Sequence, residues 1–149
     1  MHPLCLILWL LLLSFCFAKV EVHIEGGDGW AAKLPTWRVE KHPLLTLLWG
    51  GRPMTGYHAW VFSFMALVFH LPLFLPGPPS WALEARILGA LMVFWIAEDF
   101  LWFAVNPAYG LARFARGQVP WHPRWWGPLP ADYWIFGLLA AALLSWSYR

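Results

Sequence analysis

The sequence predicts an all-α integral membrane protein, a compact bundle of about four transmembrane helices joined by interfacial loops. Of its 149 residues 60% are hydrophobic and only 12% are charged, whereas soluble domains carry about 25% charged residues. Thirteen tryptophans are typical of chains whose indole rings lie at the water–lipid boundary. Four apolar stretches approach the length of about 20 residues that a helix needs to cross a bilayer. The length predicts a single membrane domain over residues 1–149.

The first apolar stretch, residues 3–18, is rich in leucine and short for a span. Two interpretations fit it: a retained transmembrane helix, or a signal peptide cleaved after Ala18. No lysine or arginine precedes the apolar run, which is unusual for a signal peptide. Cleavage would also place the basic segment that follows outside the cell, against the positive-inside rule. We therefore favour a retained helix.

The other three predicted spans are longer and occupy residues 59–75, 83–105 and 131–148. All three fall within the usable range of about 17–25 residues. Small residues recur every four positions in the last of them, at Gly137, Ala141 and Ser145. Because small side chains let helices approach closely in lipid, we expect this stripe to face a neighbouring helix.

Two longer segments, residues 19–58 and 106–130, connect the predicted spans as interfacial loops rich in tryptophan, arginine and proline. Within the first, apolar and polar residues alternate over residues 20–25, a pattern that predicts a short strand. The apolar run 43–49 is too short to span and predicts an interfacial helix.

The placement of basic residues predicts the orientation. With four spans, eight of the ten lysines and arginines fall on one side: Lys19, Lys33, Arg38, Lys41, Arg52, Arg113, Arg116 and Arg124. Because cytoplasmic loops carry the excess of positive charge, we expect these loops in the cytoplasm and both termini outside, in the plasma membrane.

Two adjacent carboxylates, Glu98 and Asp99, lie inside the third predicted span. A charged side chain there costs about 2.5–3.5 kcal/mol on insertion scales, so such residues face protein or water and are usually functional. The alternative is a structural ion pair with a loop arginine. Neighbouring helical residues point about 100° apart, which predicts that one carboxylate faces a site and the other holds a neighbouring helix.

Two histidines, His58 and His122, fall on the same predicted side as these carboxylates. Imidazole together with carboxylate suits a divalent transition metal, so His58, Glu98 and His122 are candidate ligands of such a cofactor. Loop histidines without a metal are the alternative, since no HExxH or ExxH pair occurs.

Three arginines and one further histidine complete the candidates. Arg52, Arg113 and Arg124 could bind a phosphate group of a substrate, although attraction to anionic lipid also explains them. His70 lies within the second span and is a candidate proton relay. A structural, hydrogen-bonded histidine is its alternative interpretation.

Together these features predict a small membrane enzyme that acts on a lipid or lipid-like substrate at the cytoplasmic boundary. Glu98, Asp99, His58 and His122 are its predicted catalytic residues. Two other functions fit the same residues: a proton- or ion-linked transporter, and a non-catalytic scaffold or subunit of a complex. The expected partners are membrane lipids, with a homo-oligomer or a membrane protein as further candidates. Nucleic acid is not an expected partner, and the sequence has neither a phosphate-binding loop nor a dinucleotide-binding fingerprint.

Overall fold

The computed structural model describes residues 2–48 and 52–149, most of which are helical. Five α-helices occur in these ranges: α1 (Pro3–Glu25), α2 (Pro43–Leu48), α3 (Gly56–His70), α4 (Trp81–Val105) and α5 (Ala131–Ser147). Two short 3-10 helices accompany them, Leu71–Phe74 after α3 and Leu111–Arg113 after α4.

Two small antiparallel strand pairs close the loops. One pairs β1 (Arg38–Val39) with β2 (Met54–Thr55), and the other pairs β3 (Trp125–Trp126) with β4 (Leu129–Pro130). Each pair lies directly before a helix, so the strands fix where α3 and α5 begin.

Three helical segments among the described residues are long and apolar enough to cross a membrane: Pro3–Glu25, Gly56–Phe74 and Trp81–Val105. The prediction of a mostly helical chain with segments long enough to span a membrane is confirmed for these three segments. The fourth predicted span, 131–148, is also helical, but α5 is the shortest of the four at 17 residues.

Local chemistry explains the helix ends. Thr55 Oγ1 accepts a hydrogen bond from the backbone N–H of His58 at 3.2 Å, which caps the start of α3. Ser80 does the same for α4, accepting from the N–H of Leu83 at 3.1 Å. At the other end of α3, Pro72 has no N–H to continue the helical ladder, so the chain tightens into the 3-10 turn.

The predicted strand over residues 20–25 is wrong, because α1 continues to Glu25 and ends at Gly26 with φ of 68°. The same residues also carry helical spacing: Ala18, Glu21 and Glu25 lie on one buried face of α1. A six-residue window fits both periods, and packing against the other helices decides between them. α1 is therefore one continuous helix through Ala18, the residue after which the alternative interpretation, a signal peptide, would be cleaved.

Helix α4 is the centre of the bundle and packs most extensively against α1 and α5. Ser14 on α1 donates a hydrogen bond from its hydroxyl to the carbonyl of Phe94 at 3.0 Å. Gly89 allows α5 to approach closely, since a Cβ there would lie 2.8 Å from Cγ of Leu144.

The small-residue stripe predicted to pack α5 is not its packed face. Ala141 and Ser145 are exposed, whereas Ala140 is fully buried. The small residue that brings α4 and α5 together lies instead on α4, so a stripe on one helix alone did not identify the contact face.

The short interfacial helix predicted over residues 43–49 corresponds to α2. Its predicted last residue, Trp49, lies outside the described residues, as do Gly50 and Gly51, which follow it.

Candidate functional site

A cavity of about 380 Å³ lies at the end of the bundle where α1 and α4 end and where α3 and α5 begin. Its size falls within the range of about 300–1,000 Å³ that is usual for small-molecule sites. Both long loops lie at this same end, and Trp30 from the first and Trp121 from the second contribute to the walls.

The lining of the cavity divides into a polar and an apolar part. Five carboxylate residues line the polar part: Glu21, Glu25, Glu98, Asp99 and Asp132. Apolar side chains line the rest, toward the middle of α3, α4 and α5: Phe62, Ala66, Leu91, Met92, Ile96 and Phe136. From Leu91 to Trp102 the cavity wall follows α4 for about 16 Å. The space is therefore amphipathic along its length.

His122, from the loop before α5, is the centre of the best-connected polar cluster. Its Nε2 lies 2.8 Å from Oδ2 of Asp99 and its Nδ1 lies 3.4 Å from Oδ2 of Asp132. Arg52 donates to Asp132 and lies 3.0 Å from the imidazole Nδ1. Only 1% of the His122 side chain is exposed, so these charges interact with little screening by water.

The charge of His122 follows from this surrounding. Burial lowers the pKa of the imidazole, but the carboxylates of Asp99 and Asp132 outweigh it and raise the pKa from 6.5 to about 9. Arg52 opposes the two carboxylates only in part. At neutral pH His122 is therefore a cation whose two N–H groups face two carboxylates.

Asp99 joins three elements of the fold. Besides His122, its Oδ2 accepts a hydrogen bond from the hydroxyl of Tyr133 on α5. Through this one carboxylate, α4 is tied to α5 and to the loop that precedes it. This is the role of holding a neighbouring helix that the sequence predicted for one member of the Glu98–Asp99 pair.

Glu98 has a different surrounding. Its carboxyl group is hydrogen-bonded to that of Glu21 on α1, and two carboxyl groups can bond in this way only when they share a proton. The hydroxyl of Tyr57 donates to the Oε1 of Glu21 at 2.9 Å. Oε1 of Glu98 is buried and has no hydrogen-bond partner within residues 2–48 and 52–149. Glu98 is thus the carboxyl group left to interact with whatever occupies the cavity.

Glu25 organises the loop that covers one side of the cavity. Its Oε1 accepts the backbone N–H of Ala31 at 2.5 Å. Trp30 and Ala31 both have left-handed backbones, with φ of 49° and 51°, and such strain in non-glycine residues is common at functional sites. The turn brings the indole of Trp30 onto the ring of His58, with centroids 4.0 Å apart.

His58 is held rather than free to move. Its Nδ1 lies 2.7 Å from the hydroxyl of Thr55, and its Nε2 lies 3.7 Å from Oε1 of Glu25. The whole residue is 4% exposed, and its ring lines the cavity beneath Trp30.

Five of the predicted site residues line this one cavity: Glu98, Asp99, His58, His122 and Arg52. Both Glu98 and Asp99 line the cavity, and Asp99 in addition holds α5 through Tyr133. The cavity is wide enough to be bounded by both α1 and α5, so two helix faces about 100° apart contribute to it.

Two predicted phosphate-binding arginines lie elsewhere. Arg113 and Arg124 are exposed, and neither is among the described residues that line the cavity. The guanidinium of Arg113 lies 5.2 Å from the ring centroid of Tyr109. The arginine that reaches the carboxylates is Arg52.

His70, the predicted relay, lies at the opposite end of the bundle. It contacts Oε1 of Glu84 at 3.2 Å through Nε2 and donates from Nδ1 to the carbonyl of Ala66 at 2.6 Å. Glu84 and Glu98 are about 21 Å apart along α4. This distance separates His70 from the cavity carboxylates.

The predicted metal ligands His58, Glu98 and His122 all line the cavity, but their positions do not support a metal site. In the described part of the chain, no three His, Cys, Asp or Glu side chains are placed to hold a metal ion. His58 and His122 instead contact Thr55 and Asp99 through their ring nitrogens.

Sequence reasoning missed Glu21, Tyr57 and Tyr133 as members of the polar network. A signal for Glu21 was present: if residues 18–25 are placed on a helix, it shares a face with Ala18 and Glu25. The two tyrosines left no comparable signal, since their partners lie on other helices.

No protein-family model, curated protein or solved structure matches this chain. Its fold and site define a small helical protein with spans long enough for a membrane and an amphipathic, carboxylate-rich cavity at one end of the bundle.

Proposed function

We propose that the chain is an integral membrane enzyme that performs acid–base chemistry on a lipid-like substrate within the cavity. One observation carries the proposal: Glu98 presents a buried carboxyl oxygen, without a partner in the described part of the chain, to a cavity that is polar around it and apolar toward the middle of the bundle. Burial of a carboxyl group beside apolar walls is the usual way in which enzymes prepare an acid or base.

The proposed roles follow from the contacts. Glu98 touches the substrate and gives or takes a proton, and Glu21 beside it accepts a hydrogen bond from the Glu98 carboxyl group. Asp99, with His122 and Tyr133 bound to it, positions the polar wall and keeps a compensated charge there. His58 lines the cavity next to Glu25 and is a second candidate proton carrier.

The proposed topology has four spans, with α5 as the fourth. At 17 residues it covers about 25 Å, the lower limit for a span. The basic loops would be cytoplasmic and both termini outside, in the plasma membrane. Exposed apolar side chains on α1 and α3, such as Leu12 and Leu67, would contact lipid tails or a partner protein. An alkaline phosphatase fused to the C terminus should be active in this orientation and inactive in the reverse one.

A transporter is less well supported by the same contacts. A stepped relay through His70 would have to pass the apolar wall formed by Leu91 and Met92. Because His70 pairs with Glu84 about 21 Å from Glu98, the ionisable groups do not form a continuous path among the described residues.

The test compares lipid extracts of cells that express the wild type, Glu98→Gln or Glu84→Gln. Glu84 is the matched control, since it is a carboxylate on the same helix at the far end. We expect at least one lipid species to be converted by the wild type and by Glu84→Gln, and conversion by Glu98→Gln to fall by about 100-fold or more.

Mass spectrometry of the extracts provides the measurement, and gel filtration confirms that each variant is folded. The proposal fails if wild-type expression leaves the lipid profile unchanged, or if Glu98→Gln converts the same species as the wild type. Loss of a stoichiometric membrane partner from Glu98→Gln, with no lipid change, would instead indicate a scaffold.

A further inference from the structure

Two polar atoms on one face of α4 are buried without a partner, and both border the cavity. They are Oε1 of Glu98 and Nε1 of Trp102, and no described residue hydrogen-bonds to either. Each residue is 3% exposed. Because they are four positions apart, they lie one helical turn from each other on the same face.

The chemistry of the two atoms defines what can satisfy both. An indole N–H can only donate, so Trp102 requires an acceptor. Glu98 Oε1 can accept, so it requires a donor. A hydroxyl group does both. A quaternary ammonium cannot accept from Trp102, and a phosphate ester without a proton cannot donate to Glu98.

Charge also argues against an anionic group. Among the described residues, five carboxylates and one arginine line the cavity. The guanidinium of Arg52 is bound to Asp132 through Nη2, and its buried Nε has no hydrogen-bond partner in this part of the chain. A phosphate placed there would meet like charge at short range, with little screening in a buried site. The unpartnered pair thus favours an uncharged polar group.

The apolar part of the cavity indicates which group the ligand carries besides its polar head. Leu91 lies two turns from Glu98 on α4, so an apolar wall extends about 10 Å away from the polar pair. Phe62 and Phe136 face this wall from α3 and α5. An alkyl or isoprenoid chain attached to the hydroxyl would follow this direction.

We propose that the ligand of the cavity is an uncharged long-chain alcohol whose hydroxyl donates to Glu98 Oε1 and accepts from Trp102 Nε1. The inference rests on the proposed function, because it names the substrate class of the same site. It adds Trp102 as the residue that determines specificity for the hydroxyl.

The experiment measures binding, not turnover, with the full chain in phosphatidylcholine nanodiscs. A diazirine-bearing dodecanol is crosslinked by light, and the attachment sites are mapped by peptide mass spectrometry. We expect crosslinks on Phe62, Leu91 or Phe136. Unlabelled dodecanol should compete, whereas dodecyl phosphate and dodecyltrimethylammonium should not.

Two comparisons isolate the hydroxyl. Dodecyl methyl ether keeps the acceptor but loses the donor, and we expect it to compete about tenfold more weakly than dodecanol. Trp102→Phe removes the N–H and should weaken binding of dodecanol by about tenfold. Trp81→Phe, an exposed position at the start of the same helix, should bind as the wild type does. The ether needs no variant, so the test holds even if Trp102→Phe fails to fold.

Equal competition by the ether, stronger competition by the ammonium or phosphate amphiphile, or crosslinks outside the cavity would each overturn the inference. The two proposals can fail separately. Specific binding of dodecanol without any Glu98-dependent lipid conversion leaves the inference standing and removes the enzyme. Glu98-dependent conversion without binding of the alcohol does the reverse.

Discussion

The two ends of the helical bundle each hold a histidine paired with a carboxylate, but in different surroundings. At the cavity end, His122 lies 2.8 Å from Asp99, and the two side chains are 1% and 24% exposed. At the opposite end, His70 lies 3.2 Å from Glu84, and the two side chains are 25% and 28% exposed. The imidazole is thus buried at the cavity end and partly hydrated at the opposite end, whereas the two carboxylates are similarly exposed.

The partners of each pair explain the difference. His122 faces Asp132 as well as Asp99, Asp99 also accepts from Tyr133, and Asp132 also pairs with Arg52. Each carboxylate of this cluster thus has two compensating partners. His70 has one further contact, to the carbonyl of Ala66 within its own helix. Buried charge is retained only where such a network compensates it. The comparison indicates that a connected network of charged side chains stabilises the buried charge at the cavity end, whereas at the opposite end water hydrates a single ion pair.

Asp99→Asn should have the largest effect on stability. The variant removes the charge that faces the His122 cation and weakens the acceptor of the Tyr133 hydroxyl. Breaking a buried pair costs about 3–5 kcal/mol. Because His122 keeps its contact with Asp132, we expect the lower end of this range, about 3 kcal/mol, which corresponds to a fall in Tm on the order of 10 °C. Thermal unfolding in detergent micelles, followed by circular dichroism, provides the measurement.

Glu98→Gln is the matched control for this variant, since it changes the neighbouring carboxyl group by the same chemistry. Its amide can still donate to Glu21, so we expect a loss of about 1 kcal/mol. Equal destabilisation by the two substitutions would contradict the distinction between a structural Asp99 and a ligand-facing Glu98.

The pH dependence of stability should show the second largest effect. The pKa of His122 is raised from 6.5 to about 9 in the folded protein, so its cation stabilises the fold. This contribution is present in full below about pH 6.5 and is lost as the pH rises through about 9, a difference of about 3 kcal/mol. We therefore expect Tm to fall as the pH is raised from about 6 to about 10, and thermal unfolding at a series of pH values measures this.

His122→Gln isolates this titration from that of other groups. The difference in stability between wild type and variant should shrink as the pH rises, because only the wild type has the imidazolium to lose. A difference that stays constant over the range, or grows, would show that the charge of His122 does not stabilise the fold.

The sequence predicted the membrane-length helices well, and the physical reason is their length. An apolar run of about 20 residues has few alternatives to a helix. The error fell on residues 20–25, where polar residues interrupt the run and both periods fit. There the faces buried against other helices decide the structure, and a sequence window does not contain them.

The candidate site could be predicted in part for a related reason. Glu98 and Asp99 were recognisable because charge within an apolar helix is costly. Tyr133 and Glu21 were not, because their importance comes from contacts with α4 across the bundle. Arg52 was predicted as a phosphate ligand from its charge, but its carboxylate partner, Asp132, lies 80 positions away in the chain.

Glu84→Gln should have the smallest effect, and it sharpens the comparison from the opposite end. The pair with His70 is partly hydrated, so water replaces much of what the substitution removes, and we expect a loss of no more than about 1 kcal/mol. Tm should fall by less than about 4 °C, measured in the same micelles as Asp99→Asn. His70→Ala should behave similarly and leave the lipid conversion proposed for Glu98 unchanged, because His70 contacts no charged group at the cavity end among the described residues. A loss of conversion in His70→Ala with an unchanged Tm would break the comparison, since it would connect the two ends through proton transfer and restore the relay that the sequence suggested.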